Sequence, residues 1–343
     1  MQEINWNRTD LIDETEEVVQ HQTRQQKEQL DDSEGVRFEE FNEKRVKVTK
    51  VTVNSEGAEE IGKKEGQYIT LTVPTLNIDD HDGIEQLAES FLKYIDEIHK
   101  DIELTKDSKV LVIGLGNKTI TPDAIGPFTI DAMQARQLEN HVEQFVLYAP
   151  GVTGQTGFET SDFVHALTEK IQPDLVLAID ALATRGTSRL CKTIQITNTG
   201  IHPGSGVGNQ RAEISKEVLG VPVTAIGVPT VVDATVIIAD AVDKVFRSIA
   251  KKIQEKDKPS GKLAVTAWTS DTSEEDVDFN VIRPIFGEWS TWSKAERRQL
   301  FEEVLLSNSQ RLIVTPKEVD IWMTKYSTLI SNCLFRWIEE KVN

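Results

Sequence analysis

The chain has 343 residues and a formal net charge of −18 at pH 7, from 56 acidic side chains and 38 lysines and arginines. This excess of negative charge argues against direct binding to nucleic acid or to an anionic membrane. The two cysteines, Cys191 and Cys333, lie far apart and fit neither a zinc motif nor a disulfide framework, as in proteins of a reducing compartment. The N-terminus lacks the features of a signal peptide, and no apolar run is long enough to span a membrane, so we expect a cytoplasmic protein.

The first third of the chain predicts a hairpin followed by a helix. Residues 1–34 are charged and helix-prone, with only a thin apolar stripe. Two strand-like runs, 46–53 and 67–73, are separated by a loop rich in glycine, which is typical of a hairpin. Apolar residues then recur at helical spacing over residues 82–102.

From residue 110 onward, strands alternate with helices. The predicted strands are 110–113, 144–149, 175–179, 193–197 and 222–228, and the predicted helices between and after them include 160–171 and 233–252. Such alternation indicates an α/β fold with a mostly parallel, doubly wound sheet. A linker at 256–261 precedes a part with two more predicted helices, 293–306 and 316–342. We therefore expect one core domain with an N-terminal hairpin and C-terminal helical additions.

The loop that follows the strand 110–113 contains a single acid, Asp123. Open α/β sheets place their chemistry at the carboxyl ends of their strands, so Asp123 is the first candidate for catalysis. The start of the loop, Gly114-Leu115-Gly116, lacks the third glycine of a dinucleotide-binding fingerprint. The alternative for Asp123 is a structural role as the N-cap of the next helix.

A second acid, Asp180, ends the buried run LVLAID. A carboxylate is costly inside a sheet, so we expect Asp180 to emerge at the carboxyl end of its strand, beside Asp123. Two carboxyl groups in one pocket can share a proton and activate a water for attack on a peptide bond. The alternative for Asp180 is to cap the next turn or to pair with Arg185.

A glycine-rich segment, 199–209, offers backbone N–H groups to a peptide carbonyl or an anion. Its titratable side chain is His202, which could complete a metal site with Asp123 and Asp180, although no tight ligand motif supports one. An exposed histidine in a flexible connection is the more ordinary interpretation. We predict that the backbones of this segment and of the loop after the first parallel strand orient a substrate. The residues concerned are Gly116, Asn117, His202, Gly204, Ser205 and Gly206.

Five long motifs in order, and a sixth near the C-terminus, resemble the germination proteases of spore-forming bacteria. They are GLGN–x4–PDAIGP (114–127), APGVTGQTGFET (149–160), PDLVLAIDALATR (173–185), TGIHPGSGVGNQR (199–211), GVPVTAIGVPTVVDA (220–234) and VTPKEVD (314–320). The resemblance implies an endopeptidase that degrades the small acid-soluble proteins coating DNA in the spore. It also implies an α/β/α sandwich related to the hydrogenase maturation proteases.

The resemblance extends to the site and to the assembly. The proposed catalytic acids of the family match Asp123 and Asp180, whereas the match of His202 to the metal-binding region of the hydrogenase maturation proteases is weaker. We expect no cofactor, a homotetramer, and a place in the cytoplasm of the forespore or the spore core. One departure is Gln137, where the family tends to have a histidine; its ring would have had a positioning role.

The resemblance further implies a zymogen that removes its own N-terminal segment. Family substrates are cut in a motif of the type Thr-Glu, a large apolar residue, Ala, Ser, Glu, and residues 9–14 (TDLIDE) have a similar layout. The predicted scissile bond joins Asp10 to Leu11, and Thr9 as a helix N-cap is the structural alternative. The predicted organisation is a propeptide 1–10, a peptidase core 11–256 and a C-terminal extension 257–343. The other functional alternatives are a metal-dependent peptidase of the same fold and a non-catalytic acidic protein that binds spore proteins or a basic ligand.

Overall fold

The computed structural model of the chain describes residues 35–140, 143–152, 159–203, 212–254, 277–306 and 312–342. Its strands are β1 (Val36–Glu43), β2 (Val46–Val53), β3 (Gly66–Thr72), β4 (Val110–Gly114), β5 (Phe145–Tyr148), β6 (Leu175–Thr184), β7 (Thr193–Thr197), β8 (Val223–Asp233) and β9 (Ile313–Val314).

The α-helices are α1 (Ser55–Ile61), α2 (His81–Ile98), α3 (Ile125–Asn140), α4 (Thr160–Ile171), α5 (Lys216–Leu219), α6 (Ala234–Gln254), α7 (Arg283–Phe286), α8 (Lys294–Leu306) and α9 (Val319–Val342). A 3-10 turn, Thr121–Asp123, precedes α3. None of the helices described is both long and apolar enough to cross a membrane.

The α/β fold is confirmed, and its sheet is mixed. Eight strands follow one another in the order β1-β2-β3-β7-β8-β6-β4-β5. The four strands β8, β6, β4 and β5 run parallel, as the strand–helix alternation predicts. The strands β1, β2, β3 and β7 pair antiparallel with one another in this order. The pair formed by β7 and β8 is also antiparallel. The predicted hairpin therefore does not stand apart, because β3 pairs with β7 and extends the central sheet.

Helices cover both faces of this sheet, which gives the three layers expected of an α/β/α sandwich. On the first face, α2, α3 and α9 pack on alternate residues of the strands, among them Val112, Leu177 and Ile226. On the second face, α4 and α5 pack on the strand residues that alternate with those of the first face, such as Ile113 and Ala178. On that second face α1 packs on β2 and β3. A strand buried on both faces needs a continuous apolar run, and this is why β4 reads VLVIG.

The chain divides into two compact units. The first consists of residues 1–232 and 314–343 and the second of residues 233–313. The second unit has a small apolar core of its own around Phe246, Ala250 and Ile282. The helix α9 belongs to the first unit, where its buried side chains include Trp337, Phe335 and Ile338. The helix α9 contributes to the core of the first unit, and the predicted domain boundary at residue 256 stays a prediction.

Candidate active site

The loop after β4 closes around Asp123. The backbone N–H of Asn117 donates to Oδ2 of Asp123 at 2.8 Å and to its carbonyl oxygen at 3.1 Å. Gly116 has φ +108°, and a Cβ there would lie 2.1 Å from the carbonyl oxygen of Asp123, so the turn requires glycine. The side chain of Asn117 accepts from the backbone and the hydroxyl of Thr119, at 3.0 and 2.8 Å. A backbone N–H thus holds both the carboxylate and the carbonyl group of Asp123.

Two threonines distant in sequence hold this loop from the side of β8. The hydroxyl of Thr230 donates to the carbonyl of Pro122 at 2.6 Å, and the hydroxyl of Thr315 donates to the carbonyl of Thr230 at 2.9 Å. The turn Thr121–Asp123 also lies against α9, with Cα atoms within 8 Å. Neither threonine was predicted as a site residue. The sequence feature that could have pointed to them is their position inside two of the family motifs, at 220–234 and 314–320.

The second acid, Asp180, lies inside β6 and not at its end, because β6 continues to Thr184. The strand that ends there is its neighbour β4, whose last residue Gly114 pairs with Ile179. Asp180 is therefore the first residue of β6 beyond the end of β4. It is buried, 6% exposed, and its Oδ1 accepts from the backbone N–H of Ala181 at 2.9 Å. The carboxylate is accommodated within the strand because the end of β4 leaves one side of β6 uncovered by a strand.

Close backbone packing brings the two acid-bearing segments together. The N–H of Leu115 donates to the carbonyl of Ile179 at 2.8 Å, and a Cβ on Gly126 would lie 2.2 Å from the carbonyl oxygen of Leu115 and 2.6 Å from that of Ile179. The turn Thr121–Asp123 lies against β6, with Cα atoms within 8 Å. Asp123 and Asp180 therefore both lie at the carboxyl end of β4, the position at which open α/β sheets bind their ligands.

His202 lies beside a cluster of charged side chains. Its Nε2 lies 3.8 Å from Oε1 of Glu213, and the same carboxylate oxygen lies 2.5 Å from Nζ of Lys64. Lys64 also binds Glu217 at 2.8 Å, and this hydrogen bond lowers the pKa of Glu217 to about 2. Across the described residues, Asp123, Asp180 and His202 do not form a group of three arranged to hold a metal ion.

Several predicted residues lie outside the described part of the chain. They are Asp10 and Leu11 at the predicted scissile bond and Gly204, Ser205 and Gly206 of the glycine-rich segment. The backbone N–H of Asn117, one of the predicted substrate donors, donates to the carboxylate of Asp123. A role for Gly116 and Asn117 in orienting substrate stays a prediction.

The structure places Gln137 away from the two acids. This residue of α3 donates through Nε2 to the carbonyl of Phe145 at 2.9 Å. Phe145 pairs with Val110, the first residue of β4, whereas the acids lie at the carboxyl end of this strand. At about 3.3 Å per residue, the length of β4 separates these two ends by roughly 13 Å. Gln137 therefore lies at the end of β4 opposite to the end that bears the two candidate acids.

Comparison with known proteins assigns the chain to the peptidases. The family model described as germination protease matches residues 12–343. The chain therefore belongs to the germination protease family, as its motifs predict.

The individual relatives agree with the family model. The germination protease of Halalkalibacterium halodurans is 39% identical over 351 positions, which cover 98% of this chain and 94% of that protein. That of Oceanobacillus iheyensis is also 39% identical and covers 98% of this chain and 95% of its own length. A solved [NiFe] hydrogenase maturation protease from Thermococcus kodakarensis matches 36% of this chain and 74% of its own, at 18% identity and a TM-score of 0.27. The full-length relatives establish a peptidase of the germination family.

Proposed function

We propose that the chain is an endopeptidase of aspartic type that degrades the small acid-soluble proteins coating DNA in the spore core. The observation that supports this proposal most directly is that the turn carrying Asp123 lies against β6, the strand of Asp180, at the carboxyl end of β4, in a chain of the germination protease family. The substrate class follows from the resemblance to the family and the chemistry from the pair of acids.

In the proposed reaction, the two carboxyl groups share one proton, because two negative charges in one pocket repel each other. The ionised carboxylate takes a proton from a water molecule as this water attacks the peptide carbonyl. The protonated carboxyl group donates its proton to the departing amine. The backbone clamp from Asn117 holds Asp123 in place throughout, so little reorganisation is needed as the charge moves.

The chain is further proposed to be made as a zymogen that cuts itself between Asp10 and Leu11. The segment 9–14 has the order of polar, acidic and apolar residues found in the family's substrate motif, so it can occupy the same site. Removal of residues 1–10 would then free the site for other chains. We also propose that the active form is a homotetramer in the cytoplasm of the spore, on the basis of family resemblance.

The test is the intact mass of the full-length protein, followed over time under mildly acidic conditions. We compare the unmutated chain with Asp123→Asn, Asp180→Asn and the control Asp107→Asn, which alters an exposed acid in a turn. We expect loss of residues 1–10 in the unmutated chain and the control, and in neither of the other variants. A peptide containing Thr-Glu-Ile-Ala-Ser-Glu should be cut by the same two proteins.

Other outcomes contradict parts of the proposal. Self-cleavage in both Asp123→Asn and Asp180→Asn rules out the acid pair as the catalytic groups. If no form cuts itself or the peptide, yet spore proteins bind tightly and remain intact, the non-catalytic binding function is correct. Restoration of activity by a divalent metal after treatment with a chelator would favour the metal-dependent peptidase.

A further inference from the structure

A row of polar side chains crosses the second face of the sheet and leads to Asp180. Thr70 of β3 pairs with Gln195 of β7, Gln195 pairs with Gly227 of β8, and Gly227 pairs with Asp180 of β6. Directly paired residues of neighbouring strands present their side chains on the same face of the sheet. Gln195 and Asp180 therefore lie on the same face, and the strand residue between them is Gly227, with the side chain of Leu182 above it.

The carboxamide of Gln195 is buried without satisfying its hydrogen-bonding capacity. The residue is 0% exposed, and neither Nε2 nor Oε1 has a hydrogen-bond partner among the described residues. The hydroxyl of Thr70, which is 2% exposed, likewise finds none in the described part of the chain. Burying an amide without a partner costs free energy, and native proteins keep such groups rarely. The alternation TIQIT could carry an apolar residue at this position, so the glutamine requires an explanation.

The residue between Gln195 and Asp180 is suited to letting them meet. Gly227 lies inside a long buried strand, where glycine is unusual and often marks a close approach. A Cβ there would lie 2.2 Å from Cδ1 of Leu182, so the space above Gly227 is filled by a leucine side chain. A leucine can change its rotamer, whereas a side chain on residue 227 would fill this space permanently. With strands about 4.8 Å apart, roughly 10 Å separates the Cα atoms of Gln195 and Asp180, a gap that a glutamine and an aspartate can bridge directly or through one water.

We propose that Gln195 is a positioning residue for Asp180, and that its carboxamide bonds the Asp180 carboxyl group when a peptide substrate lies between the two acids. Catalytic hydrogen bonds are often unmade in a free enzyme and form in the substrate complex. A carboxamide has both a donor and an acceptor, so it can bond Asp180 whether that acid is ionised or protonated. The role of Gln195 rests on the proposed function, because it acts through an acid to which catalysis is assigned there.

The test compares two variants of Gln195 with a control in the same row. Gln195→Met preserves size and removes the amide, and Gln195→Glu preserves shape and removes the N–H donors. Thr70→Val removes the other unpartnered group of the row, one strand further from Asp180. All are assayed on the Thr-Glu-Ile-Ala-Ser-Glu peptide well below the Tm of each, with kcat expressed per folded molecule.

We expect both Gln195 variants to lower kcat by about 10- to 100-fold with KM changed less than about threefold, since a slightly misplaced catalytic group costs about this much. The Tm of Gln195→Met should be unchanged or higher, because a buried polar group without a partner is removed. Thr70→Val should keep kcat within about threefold of the parent.

A kcat of Gln195→Met within threefold of the parent overturns the proposal, whatever its Tm. An equal fall in the kcat of Thr70→Val also overturns the proposal, because the loss of activity would then follow from disturbing any polar residue of the row and not from the contact between Gln195 and Asp180. Asp180→Asn is measured in the same assay. If that variant is active, the proposed function fails; if it is inactive while Gln195→Met is active, only the role of Gln195 fails.

Discussion

The buried histidine His99 makes the stability of the first unit depend on pH. Its Nδ1 lies 2.7 Å from the carbonyl oxygen of Ile95, its Nε2 lies 2.8 Å from the hydroxyl of Thr224, and its ring centroid is 5.0 Å from that of Trp337. Burial, with a smaller contribution from the charge of Lys341, lowers the pKa of His99 to about 4. The folded chain therefore holds this ring neutral at a pH at which the unfolded chain protonates it.

The sign and size of the effect follow from proton linkage. Above the unfolded pKa of about 6.5, both states are neutral and His99 adds no pH dependence. As pH falls from about 6.5 to 4, the unfolded state binds a proton that the folded state does not, and the free energy of unfolding decreases. At about 1.4 kcal/mol for each pH unit, this interval corresponds to about 3 kcal/mol.

The measurement is urea unfolding followed by tryptophan fluorescence at several pH values between 7 and 4. His99→Gln retains hydrogen-bonding groups without titrating, and His165→Gln alters an exposed histidine of α4 as a control. The difference in unfolding free energy between parent and His99→Gln should shrink as pH falls, and by more than the difference for the exposed-site control His165→Gln. A difference for His99→Gln that does not change between pH 6.5 and 4.5 would refute the reasoning.

Two further predictions concern the packing of the site. Gly126→Ala should destabilise the first unit by about 1–3 kcal/mol and lower kcat, because the atoms nearest to its methyl group are backbone atoms of Leu115 and Ile179, which cannot move aside. The control is Gly186→Ala, whose Cβ would have no neighbour closer than 3.7 Å and which should change Tm little. Equal Tm values for the two variants would contradict this prediction. Lys64→Met should raise the pKa of Glu217 from about 2 towards the ordinary glutamate value, because its main hydrogen bond is lost. An NMR titration of the Glu217 carboxyl carbon measures this, and an unchanged midpoint would show that Lys64 is not the cause.

The sequence allowed the parallel strands to be located, and it left the edges of the sheet less certain. The runs 110–113 and 175–179 are apolar throughout because both faces of their strands are buried. The sequence does not predict the strand β1, since VRFEEFNE carries four charged residues and half of its residues are exposed at the edge of the sheet. The carboxylate of Asp180 after an apolar run predicts an end of β6 at that residue, whereas the strand continues to Thr184.

At the candidate site, the sequence singles out two candidate acids, whose catalytic role stays a prediction, and it does not reveal the groups that hold them. Asp123 and Asp180 stand out because each follows an apolar run in a motif. The bonds from Thr230 and Thr315 depend on long-range packing, which no local pattern reveals. The sequence predicts that Gln195 lies in a strand. Only the register of the sheet, which places it in the same row as Asp180, indicates that its buried carboxamide has a role at the site.

The place of α9 in the first unit has a consequence for synthesis. Residues 233–313 are translated after β8 and before α9, so the ribosome completes the second unit before it supplies the helix that buries Trp337 and Phe335. From residue 233 to residue 342 there are 110 residues, which at about 5–20 residues per second take roughly 5–20 s to make. During that time the apolar face of β4 and β6 lacks one of its covering helices. A nascent chain therefore needs protection from aggregation, and its first unit completes folding only after α9 has been synthesised.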